Sequence, residues 1–177
     1  MAPTIRSCLE SDLPAITDIY SHHVLTGLAS FELTPPDLGE MRRRRDDVIA
    51  QGFPYLVAEL DGVVAGYSYA NLYRTRPAYR NTVEDSVYVR HDCARKGIGC
   101  ALLPALIEAC TAAGCRQMIA VIGDSANYPS ILLHERFGFA RAGLFAAVGF
   151  KFGRWVDSVL MQRALGGGAD SLPEGRG

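Results

Sequence analysis

No apolar stretch in this sequence approaches the ~20 residues that a membrane-spanning helix requires, so a bilayer-crossing protein is not expected. Neither sign of charge dominates: the formal net charge is −1, which gives no global electrostatic case for nucleic acid. The opening MAPTIRSCLESDL lacks the long apolar segment of a signal peptide. Cysteine is sparse and awkwardly placed. Cys8, Cys93, Cys100, Cys110 and Cys115 are odd in number, and no pair has Cys-x-x-Cys spacing. That argues against a zinc site and against a disulfide framework, and it favours reduced thiols in a cytoplasmic protein. No internal repeat and no linker divides the chain. A length of 177 residues, about half of them apolar, suits a single domain with a real core.

What is present is a series of short elements with clear punctuation. Thr4–Cys8 reads as a strand. A helix over about Leu13–Leu25 carries Leu13, Ile16, Ile19, Tyr20 and Val24 on one face, and Gly27 stops it. Pro35-Pro36 block helix locally. Asp37 then caps a second helix, with Glu40 three residues on, running to about Ala50. Inside it lies an arginine run, Arg42–Arg45. Four consecutive positions cover more than a helical turn, so the run is expected to be a solvated face partly paired with Asp46 and Asp47, rather than a phosphate stripe. Tyr55–Leu60 and Val63–Asn71 read as strands joined by Asp61-Gly62, a type I′ hairpin signal. Gly66 inside the second strand predicts a bulge or a close backbone contact.

An arginine-rich loop, Leu72–Asn81, precedes a strand over Thr82–Arg90, a polar turn, and a helix from about Gly97 to Ala113 that contains Pro104 and ends at Gly114. Arg116–Ile122 reads as a buried strand, and Pro129 or Ser130 starts a short helix through Phe137. Phe139–Phe145 and Trp155–Arg163 are two last strands joined by AAVGFKFGR. Residues 166–177 read as a disordered tail after a domain spanning 1–165. This order predicts a mixed α/β domain with a six- or seven-stranded mixed sheet and helices on both faces.

The stretch Thr82–Ala113 organises the chain. Strand, glycine turn and apolar helix in that order can hold a phosphate-bearing ligand, because the first helical turn has free N–H groups at the positive end of its dipole. Gly97-Ile98-Gly99 permits close approach, and Arg95 and Lys96 add cations. The glycine turn alone is weak evidence: it is too short for a dinucleotide fingerprint and no P-loop is present.

The wider pattern is specific. ASFE at Ala29–Glu32, YRxTVExSVYV over Tyr79–Val89, the glycine turn, GDSxN over Gly123–Asn127, LHExFGF over Leu133–Phe139 and GFKFGRWxDxVLMQR over Gly149–Arg163 together resemble the GNAT N-acetyltransferases. Within them, they resemble the family that acetylates phosphinothricin, methionine sulfoximine and methionine sulfone. The resemblance covers Ile5 to Leu165 and departs at Ala94, where the family's motif has Gln or Arg.

The resemblance implies a GNAT fold and acetyl-CoA as co-substrate, with no metal. The pyrophosphate would rest on Arg95, Lys96, Gly97, Ile98, Gly99 and Cys100, with Asn127 and Arg136 nearby, and the pantetheine arm would lie beside Val87, Tyr88 and Val89. Glu84 would be the general base, since an amine must lose a proton before it attacks; its alternative is a strand acid paired with a loop arginine. Asp85 should point to the opposite face. His134 would touch substrate or protonate the leaving thiolate, or else be a hydrogen-bonded structural histidine. The acceptor would meet Phe31, Glu32, Asp85 and Ser86, with Arg74, Thr75, Arg76, Pro77 and Arg80 supplying cationic forks for its carboxylate and phosphinate oxygens. GFKFGRW resembles a site-covering and dimer-contact segment of a homodimer, although Phe150, Phe152 and Trp155 could equally be core. The acceptor implied is a small amino acid or analogue. The rivals are the same fold acting on a protein N-terminus, lysine or polyamine, and a non-catalytic acyl-CoA-binding module.

Overall fold

The computed structural model describes residues 2–173. Seven strands form one sheet in the order β1-β2-β3-β4-β5-β7-β6, built from β1 (Thr4–Ser7), β2 (Tyr55–Leu60), β3 (Val63–Leu72), β4 (Thr82–Val89), β5 (Gln117–Gly123), β6 (Ala140–Lys151) and β7 (Arg154–Ala164). Only β4 and β5 run parallel; every other pairing is antiparallel. The helices are α1 (Leu13–Thr26), α2 (Leu38–Ala50), α3 (Ile98–Ala112) and α4 (Tyr128–Arg136).

Local chemistry accounts for most boundaries. Asp37 accepts a hydrogen bond from the Glu40 N–H at 2.8 Å and so caps α2. Asp61 and Gly62 both take positive φ, 53° and 79°, as a type I′ turn demands. The five apolar residues read onto one face of α1 are all buried there. Burying each side chain of this kind contributes about 1.5–3 kcal/mol. The β2–β3 register skips Ala65 between the pairs Ala58↔Gly66 and Glu59↔Val64, which makes the bulge that Gly66 announced.

Successive residues of a strand face opposite sides, and this sorts the helices. Tyr88 of β4 meets Tyr20 of α1 edge-on at 5.1 Å, and Tyr67 stacks on Tyr88, so these residues face α1. Gly66 faces the other way, onto Ile98 and Leu102 of α3. Helices therefore cover both faces, and the start of α3 lies directly on β3.

All four arginines of the α2 run are ion-paired: Arg42 and Arg45 with Glu10, Arg43 with Glu40 and Asp47, and Arg44 with Glu32 and Glu40. Their charge is matched locally. The segment AAVGFKFGR is not a loop between strands. Most of it continues β6 to Lys151, across a register irregularity between Phe145 and Gly149, and the turn is only Phe152-Gly153. The expected disordered tail is tied down in part: Arg116 donates to the carbonyls of Gly168 and Ser171 at 3.0 and 2.7 Å. Residues 174–177 of that tail lie outside the described residues.

A Cβ at Gly66 would stand 2.8 Å from both Ile98 Cγ2 and the Tyr88 carbonyl oxygen. Gly66→Ala is therefore expected to destabilise the fold by about 1–3 kcal/mol through overpacking, read as a lower denaturation midpoint at unchanged slope. A midpoint equal to wild type would show that α3 can lift off the sheet at no cost.

Candidate active site

The site begins where the sheet parts. β4 and β5 pair only at Thr82↔Gln117, Val83↔Met118 and Glu84↔Ile119. Beyond Ile119, β5 continues to Gly123 with β7 alone. The Arg90 N–H donates to the Ala65 carbonyl, and the Tyr73 N–H donates to the Thr82 carbonyl. With the β3–β4 register, these bonds set the alternation along β4: Glu84, Ser86 and Tyr88 spend their N–H and C=O on β3, whereas Asp85, Val87 and Val89 turn theirs to the β5 side, where the pairing with Ile119 takes the Asp85 N–H and the groups beyond it face the gap. Tyr88, expected beside the arm, therefore has no backbone group to offer it. Its ring is packed against Tyr20, Tyr67 and His23.

A cavity of about 500 Å³ occupies the parting. Glu84, Ser86 and Tyr88 line it from one face of β4, Asp85 and Val87 from the other, and Ala120–Gly123 from β5. Phe31 and Glu32 line it as expected. The Phe31 ring lies between Gly123 and Gly149, where any Cβ would come within 2.7 Å of it. Glu32 accepts from the Tyr20 hydroxyl at 2.8 Å and from Arg44 at 2.6 Å, so it holds the wall together.

Glu84 is half-buried beside the cavity. Burial, and then the neighbouring Asp85 charge, push its pKa above the ordinary carboxylate value, and Arg74 partly opposes them. Asp85 points to the other face, where its Oδ2 lies 3.0 Å from His134 Nε2. His134 is 4% exposed, and its Nδ1 lies 2.7 Å from the Ser130 carbonyl. Burial lowers the His134 pKa, but the bond and charge of Asp85 and the Ser130 carbonyl outweigh it and leave the value raised. Both ring nitrogens are thus engaged within the chain, and the ring lines the cavity. The other oxygen of Asp85, Oδ1, is buried at the cavity wall with no protein partner.

The loop before α3 leaves backbone N–H groups unpaired at the helix start. Arg95 and Gly97 take positive φ, 62° and 80°. No side chain caps α3, and the first backbone bond of the helix is from the Ala101 N–H to the Gly97 carbonyl. The N–H groups of Ile98, Gly99 and Cys100 are left for a ligand. The Lys96 N–H instead reaches the Cys93 carbonyl at 3.4 Å. Ala94 removes no backbone donor. Arg136 lies 3.8 Å from Cys100 Sγ, which brings a cation to the same end of α3. Asn127 lines the cavity but is occupied as the α4 cap: its amide donates to the Gly123 carbonyl at 3.0 Å, and its Oδ1 accepts from Ser130 N–H at 3.3 Å.

The arginine loop is where expectation and structure part most. Arg74, Thr75, Arg76, Pro77 and Arg80 are exposed, and none lines the cavity. Arg74 stacks over Tyr73 at 4.6 Å, and Arg80 bonds the Pro77 carbonyl. The segment includes a short 3₁₀ turn at Pro77–Tyr79. Phe150, Phe152 and Trp155 are not core either; they are 57%, 57% and 65% exposed.

Sequence reasoning missed Tyr69, Asn71 and Ser158 in the wall. Asn71 is the direct cross-strand partner of Glu84, a juxtaposition that only the register reveals. It also missed Lys151, which is buried and donates to the Ser30 carbonyl at 2.7 Å, fastening the β6–β7 hairpin to the segment that carries Phe31.

A mixed sheet parted beside a helix N-terminus, with a carboxylate of raised pKa in the opening, is the architecture of an acyl-CoA-dependent N-acyltransferase. Residues 5–160 match the acetyltransferase (GNAT) domain model. The chain is 55% identical over 173 residues to a phosphinothricin N-acetyltransferase of Alcaligenes faecalis, covering 98% of this chain and 88% of that one. It is 44% identical to an L-methionine sulfoximine/L-methionine sulfone acetyltransferase of Pseudomonas aeruginosa, covering 93% and 96%. Its fold superposes on a GNAT superfamily phosphinothricin acetyltransferase of Sinorhizobium meliloti solved in complex with AcCoA, with a TM-score of 0.96, 47% identity and coverage of 99% and 95%. The chain belongs to the GNAT acetyltransferase family, and it is an N-acetyltransferase that uses acetyl-CoA.

The raised pKa of Glu84 has a cost in stability. Between the unfolded value near 4.5 and the higher folded value, the folded chain binds more protons than the unfolded one. Stability therefore falls as pH rises through that window and stays lower above it. Glu84→Gln removes the charge, so thermal melts should show a variant more stable than wild type near neutral pH. The advantage should vanish near pH ~4. A variant less stable at both pH values would mean that the carboxylate is held by compensating bonds.

Proposed function

We propose that this acetyltransferase moves acetyl from acetyl-CoA to the α-amine of a small amino acid or analogue, of the phosphinothricin, methionine sulfoximine and methionine sulfone type, by direct transfer in a ternary complex. The observation that carries the reading is Glu84, a carboxylate of raised pKa lining the cavity where β4 and β5 part. The acceptors named for the relatives at 55% and 44% identity give the substrate class.

Glu84 takes a proton from the incoming ammonium group, directly or through water, and so frees the lone pair that attacks the thioester carbonyl. The pantetheine arm runs along the open edge of β4 as a partial strand, and an N–H of Val87 or Val89 holds the oxyanion as the C–N bond forms and the C–S bond breaks. The N–H groups of Ile98, Gly99 and Cys100, with Arg95, Lys96 and Arg136, receive the pyrophosphate. His134 acts through Asp85 as a positioning residue that ties α4 to β4. Phe31, Glu32, Tyr69, Asn71 and Ser86 shape the acceptor end, and Arg74 contributes its charge from the rim.

We also propose a cytoplasmic homodimer. Phe145, Val148, Phe150, Phe152 and Trp155 are each more than half exposed along one hairpin, an apolar surface of the kind that marks a protein interface. Cys8, Cys93 and Cys100 are free thiols, as the cytoplasm would keep them.

An acetyl-CoA-dependent thiol-release assay across amino acids, drug analogues, peptides and polyamines tests the reading. Turnover should concentrate on methionine sulfone, methionine sulfoximine and phosphinothricin. Glu84→Gln should lower kcat by about 10²–10⁴-fold with acetyl-CoA binding intact. Turnover of peptides or polyamines alone would sink the acceptor assignment, and an unchanged kcat would remove Glu84 from its role.

A further inference from the structure

Beyond the last β5 pair, the Val89 carbonyl at the far end of the gap has a partner within the chain. His23 Nε2 lies 2.9 Å from the Val89 carbonyl. A carbonyl oxygen only accepts, so Nε2 carries the hydrogen. Burial lowers the pKa of His23; the Val89 bond opposes this, and the adjacent His22 and His91 add to the lowering. The ring is therefore a neutral donor. It sits in the last turns of α1 with the Tyr88 ring 5.4 Å away.

The bond falls at a mechanical junction. Val89 is the last residue of β4, and the chain then enters the 3₁₀ turn His91–Cys93 and the loop Ala94–Gly97 ahead of α3. His22, adjacent to His23, stacks on His91 at 4.2 Å with the rings 21° apart. The end of α1 thus grips the strand and the turn on either side of Arg90. Without β5 alongside, no strand among the described residues pairs with this end of β4 on its open side.

We propose that His23 is a positioning residue for the coenzyme. By donating to the Val89 carbonyl it stands in for the missing strand at the far end of the gap. It keeps the N–H groups of Val87 and Val89 in line for the pantetheine arm, and it sets the angle at which the chain enters the pyrophosphate loop. This rests on the arm lying along the β4 edge, as proposed above.

Calorimetric titration of acetyl-CoA into the full chain tests it, since binding requires no acceptor. His23→Ala should weaken binding by about tenfold, the worth of a buried hydrogen bond. Its KM for the acceptor should stay within about twofold of wild type, because the acceptor end of the cavity is untouched. His23→Gln keeps a terminal N–H donor and should recover most of the loss. Wild-type affinity in His23→Ala overturns the proposal. So does a His23→Gln variant that binds as weakly as His23→Ala while melting like wild type. If His23→Ala does not fold, His23→Gln decides alone: near-wild-type affinity supports the role and a tenfold loss overturns it.

Val87→Pro separates this failure from failure of the underlying reading. It deletes an N–H that the β3 ladder does not use, so coenzyme binding should collapse. If binding survives Val87→Pro, the arm is not on this edge and both readings fall. If binding is lost in Val87→Pro but intact in His23→Ala, only the role of His23 falls.

Discussion

The structure depends on the parting of β4 from β5 after three residue pairs. Each strand keeps its other neighbour, β4 with β3 and β5 with β7, so the sheet opens without coming apart. The parting leaves alternate backbone groups of β4 unsatisfied by the sheet, which is costly unless something else bonds them. A ligand that offers amide groups in an extended arrangement is the natural partner. The same opening sets Glu84 and Asp85 on opposite sides of one strand at the edge of one cavity, and it directs the following turn at the bare N-terminus of α3. Cofactor slot, proposed base and anion site are thus consequences of one interruption in a parallel ladder.

Electrostatics then separates the two adjacent acids. Asp85 is buried against His134, and the pair shares a bond that compensates desolvation on both sides. Glu84 has no such partner, so burial and the neighbouring charge act on it with only Arg74 in opposition. Adjacent residues of the same chemistry therefore take different roles because the pleat sends them to different surroundings. The ion pairs on α2 serve another purpose: through Glu32, Arg44 ties the helix to the wall of the cavity.

Much of the architecture was legible because its signals are local. The apolar period of α1, the Asp37 cap, the Asp61-Gly62 turn and the glycine before α3 each act within a few residues, and each appears where expected. Glu84 and the α3 N-terminus were legible for the same reason, as a strand acid and a helix start. Other features depend on groups far apart in sequence. Phe150 and Trp155 lie where the β6–β7 hairpin runs past the last β5 pair, Gly123↔Ser158, and no pattern within GFKFGRW encodes that position. The arginine loop was expected to clamp the acceptor, yet Arg74, Thr75, Arg76, Pro77 and Arg80 are exposed and none of the five lines the cavity.

By itself, the sequence determined the element order, the one-domain mixed α/β class, the chemistry at the turn before α3 and the acid on the strand that leads to it. Side-chain period, caps and turn residues are properties of short segments, so they survive reading in one dimension. Only the tertiary structure decided which backbone groups of β4 remain open, that Tyr88 is spent on β3, that His134 is locked to Asp85 and Ser130, and that His23 holds Val89. Those outcomes follow from strand register and helix placement, where a shift of one residue exchanges the two faces of a strand. No segment read alone carries its partner's register.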